Sequence, residues 1–473
     1  MNGSAGVSAA GRPVAFPRWM LPVAVGALVL VAQLWLVAHA GTDVPFQDQW
    51  DVEGRWLYPA ATEGTLRFVD LLRPHSEHRL LWTHLLNLGL FSVNGQWDPL
   101  VQMMAIAVLR AGCASLLVVC LARGWSSSGR WLAAVGVAGA FLPHLAWHNV
   151  LWGFQSQVYF SLGFSLVALQ LLGADETSRW RIAGGLAAGV AAQLAMGAGA
   201  FVPLALLGWI MVRMVERRSW SANQLLRAWP ALLLLGLAWL LRTTVPEHEA
   251  LHAATAGQFL NALGRALAWP HVSQPLAAVV GLLPLAGLLV GRLAGWRRPR
   301  VGEEVVVLLG LWAVASAGAQ AWLRGGSDEF AAGVPSRYAD FLVLLPLAGA
   351  WSAGALAVEA GGRWRRIVRV SALAWMIFVG VGWLGLSAET LRGVVLPRWR
   401  DREAPVRLMV KFQATGDPRV FEGQPRLYVP HPNLESVRAV LGDPLMRGAL
   451  PPSLQPGRPM GPLSRAARGL LGQ

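Results

Sequence analysis

Lysine is nearly missing from this chain of 473 residues: Lys411 is the single example, and every other basic residue is arginine. Cysteine is scarce too. Cys113 and Cys120 are seven residues apart in one apolar run, about 10.5 Å of helical rise and too far to bridge. A disulfide-stapled scaffold is therefore excluded, and both are read as packing residues. Charge is thin, at 14% Asp, Glu, Lys and Arg against roughly 25% in soluble domains. That excludes a soluble enzyme and a charged disordered chain. The net charge of +14 does not point to nucleic acid, because the arginines stand in short clusters between apolar runs and not along one face.

What is abundant fits a bilayer. Hydrophobic residues make up 55%, with 52 glycines and 24 tryptophans, and the mean hydropathy is +0.45. Glycine lets membrane helices approach closely, and tryptophan favours the interface. A span needs roughly 20 apolar residues. Eleven stretches qualify as candidates: 19–40, 99–122, 131–149, 154–173, 182–197, 199–215, 228–244, 274–291, 304–323, 338–357 and 370–388. The run 79–93 is shorter, opens on Arg79, and reads as an interfacial helix. No internal repeat is visible, against transporter folds built from related halves.

Arginine placement sets the expected orientation. With the N-terminus inside, the cytoplasmic segments hold eighteen arginines and the external loops eight. The expected organisation is a cytoplasmic tail (1–18), a transmembrane domain (19–388) with a large first external loop (41–98), and an external C-terminal tail (389–473). The tail's prolines, from Pro430 to Pro459, surround one helix-like stretch near 433–441, and the chain is expected to fray after about 455. Ala38-His39-Ala40 offers a signal-cleavage alternative, but the run before it exceeds the roughly 7–15 residues of such a core.

Polar chemistry concentrates in the first external loop, with eight acids against four arginines. Asp48 and Asp51 follow the first span directly, three residues apart, so they share a face on a helical turn. A carboxylate beside apolar groups can serve as a base; the same pair also fits a solvated loop with an Asp cap. The second cluster, Pro74-His75-Ser76-Glu77-His78-Arg79, could hold a metal, a phosphate or a sugar hydroxyl. Its structural alternative is a helix start, with Ser76 and Arg79 flanking it and Glu77 in its first turn. Trp152-Gly153-Phe154-Gln155 opens the fourth span and could stack on a sugar or simply lie in the interfacial belt. Arg337-Tyr338, where the tenth span meets the outside, could hold a lipid phosphate or merely snorkel. Arg110 lies mid-span with no acidic partner evident at its depth, a functional candidate by default. His248-Glu249-Ala250-Leu251-His252 matches the H-E-x-x-H pattern, which makes His248, Glu249 and His252 candidate zinc-site residues. Pro246 keeps that motif from lying deep inside a helix.

An N-in first span, an acidic motif at once outside, interfacial helices, about eleven spans and an external tail together resemble the GT-C superfamily of membrane glycosyltransferases. The segments Asp48-Gln49-Trp50-Asp51, 74–79, Trp152-Gly153-Phe154-Gln155 and Pro335-Ser336-Arg337-Tyr338 resemble a group of bacterial GT-C-like proteins. The family's acidic pair is often adjacent or split by one residue, whereas here two residues intervene. The resemblance implies an inverting transfer from a polyprenyl-phosphate sugar to a lipid or glycan acceptor on the outer face of the inner membrane. Asp48 or Asp51 would be the base, and His75, Glu77, His78, Arg79, Trp152, Gln155, Arg337 and Tyr338 would bind donor phosphate or substrate. No cofactor is required, although a divalent metal is possible. The competing classes are a lipid or polysaccharide flippase, a zinc peptidase through 248–252, and an envelope scaffold; no nucleic-acid partner is expected.

Overall fold

The computed structural model describes residues 17, 19–174, 178–221 and 226–473. The tail expected at 1–18 therefore lies, apart from Pro17, outside the described residues. The architecture is all-α, as expected. Among the described residues the sole β structure is a two-stranded antiparallel hairpin, β1 (Pro74–His75) and β2 (His78–Arg79).

Each of the eleven apolar stretches contains a helix. In chain order these are α1 (Met20–Ala40), then after α2 (Leu81–Asn94) α3 (Pro99–Leu121), α4 (Ser127–Phe141), α5 (Ser156–Leu172), α6 (Arg179–Gln193), α7 (Phe201–Glu216) and α8 (Trp229–Leu240). After α9 (Ala256–Leu267) come α10 (Ala277–Leu293), α11 (Glu303–Arg324), α12 (Leu344–Glu359) and α13 (Trp364–Thr390). Among the described residues, six helices are long and apolar enough to cross a membrane: 20–40, 99–121, 197–216, 303–324, 336–359 and 364–400. They mark a multi-pass α-helical membrane protein. The backbone reason is general: in lipid each N–H and C=O must be satisfied within its own segment.

The stops are local. Asp98 accepts from the Leu100 amide with Pro99 at the first helical position, which opens α3. Gly95, at φ 65°, closes α2 through the left-handed conformation that glycine adopts without strain. Pro143 interrupts the stretch 131–149, so that α4 ends at Phe141 and two short turns follow it. The run 79–93 is a helix, as expected, but Ser76 does not cap it. Ser76 has φ 51° in the hairpin turn, and Leu80, without a side-chain cap bond, precedes α2.

Two further expectations are corrected. Arg110 does have an acidic partner: Asp340 Oδ1 lies 3.0 Å from its Nη2, and Phe141 O accepts from Nη1 at 2.6 Å. Tyr159 and Asn149 donate to the other Asp340 oxygen at 2.7 and 3.2 Å. This satisfied network is what lets a charge sit in the core. The chain after 455 also does not fray. Helix α16 (Pro462–Leu471) docks on the first loop, numbering α14 as Ala404–Thr415 and α15 as Leu434–Gly442. Arg468 there binds Asp98 at 2.6 Å and Asp43 at 2.8 Å, while Asn94 and Ser464 join at 2.8 Å. The first loop and the tail thus share one core, including Trp50, Trp97, Phe154, Met409, Val437 and Met446.

Candidate active site at the acid-rich end of the bundle

The site begins with the turn after α1. Gln47 takes φ 52°, its amide donates to Pro430 O at 2.7 Å, and a widened helical turn over Trp50–Leu57 follows. That turn is anchored by Glu53, which is fully buried. Gln49, Trp97, Gln102 and Asn87 all donate to its carboxylate. Burial pushes Glu53 up to about 7 against the pull of those donors. Gly153 packs on this network: a Cβ there would fall on Gln102 Oε1 and close to Gln49 Nε2. The 48–51 and 152–155 motifs are therefore neighbours.

With the turn held, Asp48 and Asp51 present half-buried carboxylates to two histidines. His75 Nε2 is 3.3 Å from Asp48 Oδ2, and His431 Nε2 is 3.0 Å from Asp51 Oδ2. Burial lowers the His75 pKa, but Asp48, Asp51 and Glu77 outweigh it, leaving the imidazole above its usual value. Burial likewise lowers His431, and Asp51 and the Asn433 carbonyl outweigh that. In Asp51 burial works upward, and His431 overrides it to leave the carboxyl below the usual range. Beside these pairs stands an aromatic wall. Trp152 stacks on His148 at 5.2 Å, Phe46 meets Trp152 edge-on at 5.8 Å, and His75 meets Phe154 edge-on at 5.6 Å. Gln155 is buried at the head of α5.

The hairpin 74–79 divides this acid pair from a cavity of about 630 Å³. Glu77, His78, Arg79, Arg242, Glu249, His252, Arg324 and Tyr338 line its polar part; Met196, Phe201, Leu235, Leu323 and Phe341 line its apolar part. Glu77 accepts from Arg324 at 2.8 and 3.0 Å and lies 2.6 Å from His248 Nδ1. Burial would raise Glu77, but His248 and Arg324 bring it down to about 2. His78 is held below its usual value by burial first, and its Nδ1 accepts from the Gly197 amide at 3.3 Å.

The structure therefore brings Asp48, Asp51, His75 and Trp152 to one place and Glu77, His78, Arg79 and Tyr338 to the adjoining cavity. Arg337 is elsewhere, with Nη2 2.6 Å from Glu329 Oε2 and its guanidinium over the Tyr338 ring. The 248–252 motif does not fit the zinc pattern. Residues 246–251 form a 3₁₀ turn, in which positions four apart do not share a face. His248 is taken up by Glu77, and His252 lies against Trp322. Among the described residues no group of three His, Cys, Asp or Glu side chains is placed to hold a metal. Reasoning from sequence missed His431, Arg324 and Glu53. For His431 the flanking Pro430 and Pro432 were the signal available, since they hold one imidazole in a defined bend.

No protein-family model matches the chain, and no curated protein and no solved structure shows significant similarity to it.

Proposed function

We propose that this multi-pass membrane protein is a glycosyltransferase that moves a sugar from a polyprenyl-phosphate donor to a lipid or glycan acceptor of the cell envelope. One observation carries the reading: a carboxylate pair beside an aromatic wall adjoins, across a six-residue hairpin, a cavity that is cationic at one part and apolar at the other. An isoprenoid chain matches the apolar lining. Its phosphate matches Arg79, Arg242 and Arg324, guanidinium forks suited to phosphate oxygens. The clamp expected at Arg337 passes in this reading to these three arginines, because Arg337 does not line the cavity.

Asp48 removes the proton from the acceptor hydroxyl, and the oxygen attacks the anomeric carbon from the face opposite the donor phosphate. The new C–O bond forms as the sugar–phosphate C–O bond breaks, and the electron pair leaves on the lipid phosphate, where arginines offset the developing charge. His75 holds the Asp48 carboxylate in place, and Phe46 and Trp152 form a face on which a sugar ring can pack. No step is routed through a metal.

The proposed topology has eleven passes in the inner membrane, N-terminus inside and the acid-rich end outside. The succession of helices supports it: chain ends meet alternately at the Glu77–Arg324 end and at the Glu216–Arg292–Glu303 end. Reporter fusions at residues 220, 295 and 365 are expected to read cytoplasmic, and one after 400 external; an external reading at 295 overturns the topology. The function is tested in a deletion strain, where an envelope glycan is lost, wild-type protein restores it, and Asp48→Asn protein at equal membrane level does not. Full restoration by Asp48→Asn removes the glycosyltransferase assignment.

A further inference from the structure

Arg398 is 5% exposed. Among the described residues neither a carboxylate nor a carbonyl pairs with its guanidinium. It lies beyond α13, on the continuation of that helix to residue 400, where Val395 packs with Trp147, Val150 and Leu151. A guanidinium removed from water without a counterion is costly, so the place calls for an anion that the chain does not supply.

The surroundings point the same way. Arg337, Arg398 and Arg426 all act electrostatically on His148. Arg337 and Arg426 share one carboxylate, Glu329, at 2.6 and 3.0 Å, and Arg398 has no part in that pairing. The other acid close by, Asp340, is taken up by Arg110. Three uncharged donors in the same cluster also lack acceptors: His148 Nε2, Trp152 Nε1 and Ser336 Oγ are buried and unpartnered. His148 stacks on Trp152, and the turn carrying His148 packs against the turn 336–338. None of Arg398, Arg426, His148 and Trp152 lines the 630 Å³ cavity, so this is a second cationic place.

We infer that Arg398, flanked by Arg337 and Arg426 and by the donors of His148, Trp152 and Ser336, is a binding site for a phosphate group. Two cations on one carboxylate and a third with none leave an excess of positive charge, which favours a multiply charged oxyanion over a single carboxylate. The guanidinium fork fits its oxygens in pairs. The tail segment that carries Arg426 also carries His431, five residues on, whose ring holds Asp51; the phosphate site and the acid pair are thus built by one stretch of chain. This inference does not rest on the glycosyltransferase reading. The phosphate belongs either to a small soluble molecule or to a lipid headgroup reaching the same place from the bilayer.

The test is thermal unfolding of the full-length protein in nonionic detergent, with inorganic phosphate titrated against sodium chloride of equal ionic strength. In parallel, the protein is placed in phosphatidylcholine nanodiscs with or without phosphatidic acid, whose headgroup is a phosphomonoester. A soluble ligand raises the melting temperature with inorganic phosphate, by about 3 °C at a hundredfold excess over Kd. A lipid ligand raises it only in the nanodiscs that contain phosphatidic acid. In either arm Arg398→Gln abolishes the rise, Arg398→Lys and Arg426→Gln weaken binding about tenfold, and Arg366→Gln leaves it unchanged. Arg426 is largely exposed, so its variant keeps the test available should Arg398→Gln fail to fold. Absence of a rise in both arms for the wild type, or an undiminished rise in Arg398→Lys and Arg426→Gln, overturns the site.

Discussion

The two ends of the helical body pair their carboxylates with different cations. At the acid-rich end histidines join the arginines as partners: His75 with Asp48, His431 with Asp51 and His248 with Glu77, beside Arg324 on Glu77 and Arg468 on Asp43 and Asp98. At the other end they are arginines. Glu216 and Glu303 bind Arg292 at 2.8 and 3.1 Å, and Arg297 joins Glu303 at 2.8 Å to Glu359 at 2.7 Å. These contacts tie α7, α10, α11 and α12 together. Histidine changes charge between about pH 5 and 8, whereas arginine keeps its charge throughout. The arginine end is a brace with one protonation state. The histidine end can gain or lose protons near neutrality, which is what a site that handles a proton requires.

The strongest way to break this contrast is to remove a carboxylate from each end. Asp48→Asn is expected to slow sugar transfer by ~10²–10⁴-fold, the usual loss for a base, while the protein inserts and melts normally. Asp51→Asn should cost less, because His431 holds its carboxyl below the usual range, which suits a positioning group more than a proton acceptor. Transfer assays on membranes with matched protein levels decide it, and near-wild-type rates in both variants sink the base assignment.

Glu303→Gln should do the reverse. Glu303 is fully buried, and removing its charge leaves Arg292 with Glu216 alone and Arg297 with Glu359 alone, so the loss should be measurable but below the about 3–5 kcal/mol of a buried pair broken outright. Denaturant unfolding in detergent should show that loss, with transfer per folded molecule unchanged. A stable Glu303→Gln protein would mean that the brace is dispensable.

The pH response separates the ends more finely. His75 and His431 both have folded pKa values above their unfolded ones. Their contribution is fully present below about pH 6.5 and is lost as pH rises through the raised values. Melting temperature should therefore fall gently above neutrality, and less so in His431→Gln. On the acid side Glu77 contributes above the ordinary glutamate value and loses that contribution as pH falls toward about 2. The arginine pairs should add nothing to the slope between pH 6 and 9. A wild-type melting profile flat over that range would remove the contrast.

The smallest expected effect concerns Ser76. Its φ of 51° costs a non-glycine residue roughly 1 kcal/mol. Ser76→Gly should accordingly be neutral or stabilising by up to about 1 kcal/mol, whereas loss of a true helix cap would destabilise by a similar amount. Thermal melts of the two proteins are enough to tell.

The readings from sequence succeeded where one residue's chemistry acts through its neighbours along the chain. The eleven apolar stretches are helical because their backbone groups close on themselves within a few residues. Asp48 and Asp51 do share a face, because three positions make nearly one turn. They failed where the partner is distant. His75 and Asp48 were each singled out, but their meeting was not. Arg110 was left without a partner because Asp340 is 230 positions away. Ser76 was taken for a possible cap because a two-residue turn at 76–77 and a helix start look alike in composition.

What the amino-acid order determines by itself is the class of protein and the location of its polar chemistry. Apolar runs near the thickness of a bilayer, 14% charge and arginine clusters between the runs are local properties, and a bilayer acts on them locally. What the tertiary structure alone decides is which charges neutralise one another. His431 reaches Asp51 from 380 positions later in the chain, Arg468 holds Asp43 and Asp98 from the far C-terminus, and Arg324 reaches Glu77 across the cavity. Coulomb attraction and hydrogen bonding depend on distances of a few ångströms, and only the packing of the helices brings such residues that close or, as at Arg398, leaves a buried cation with no carboxylate beside it among the described residues.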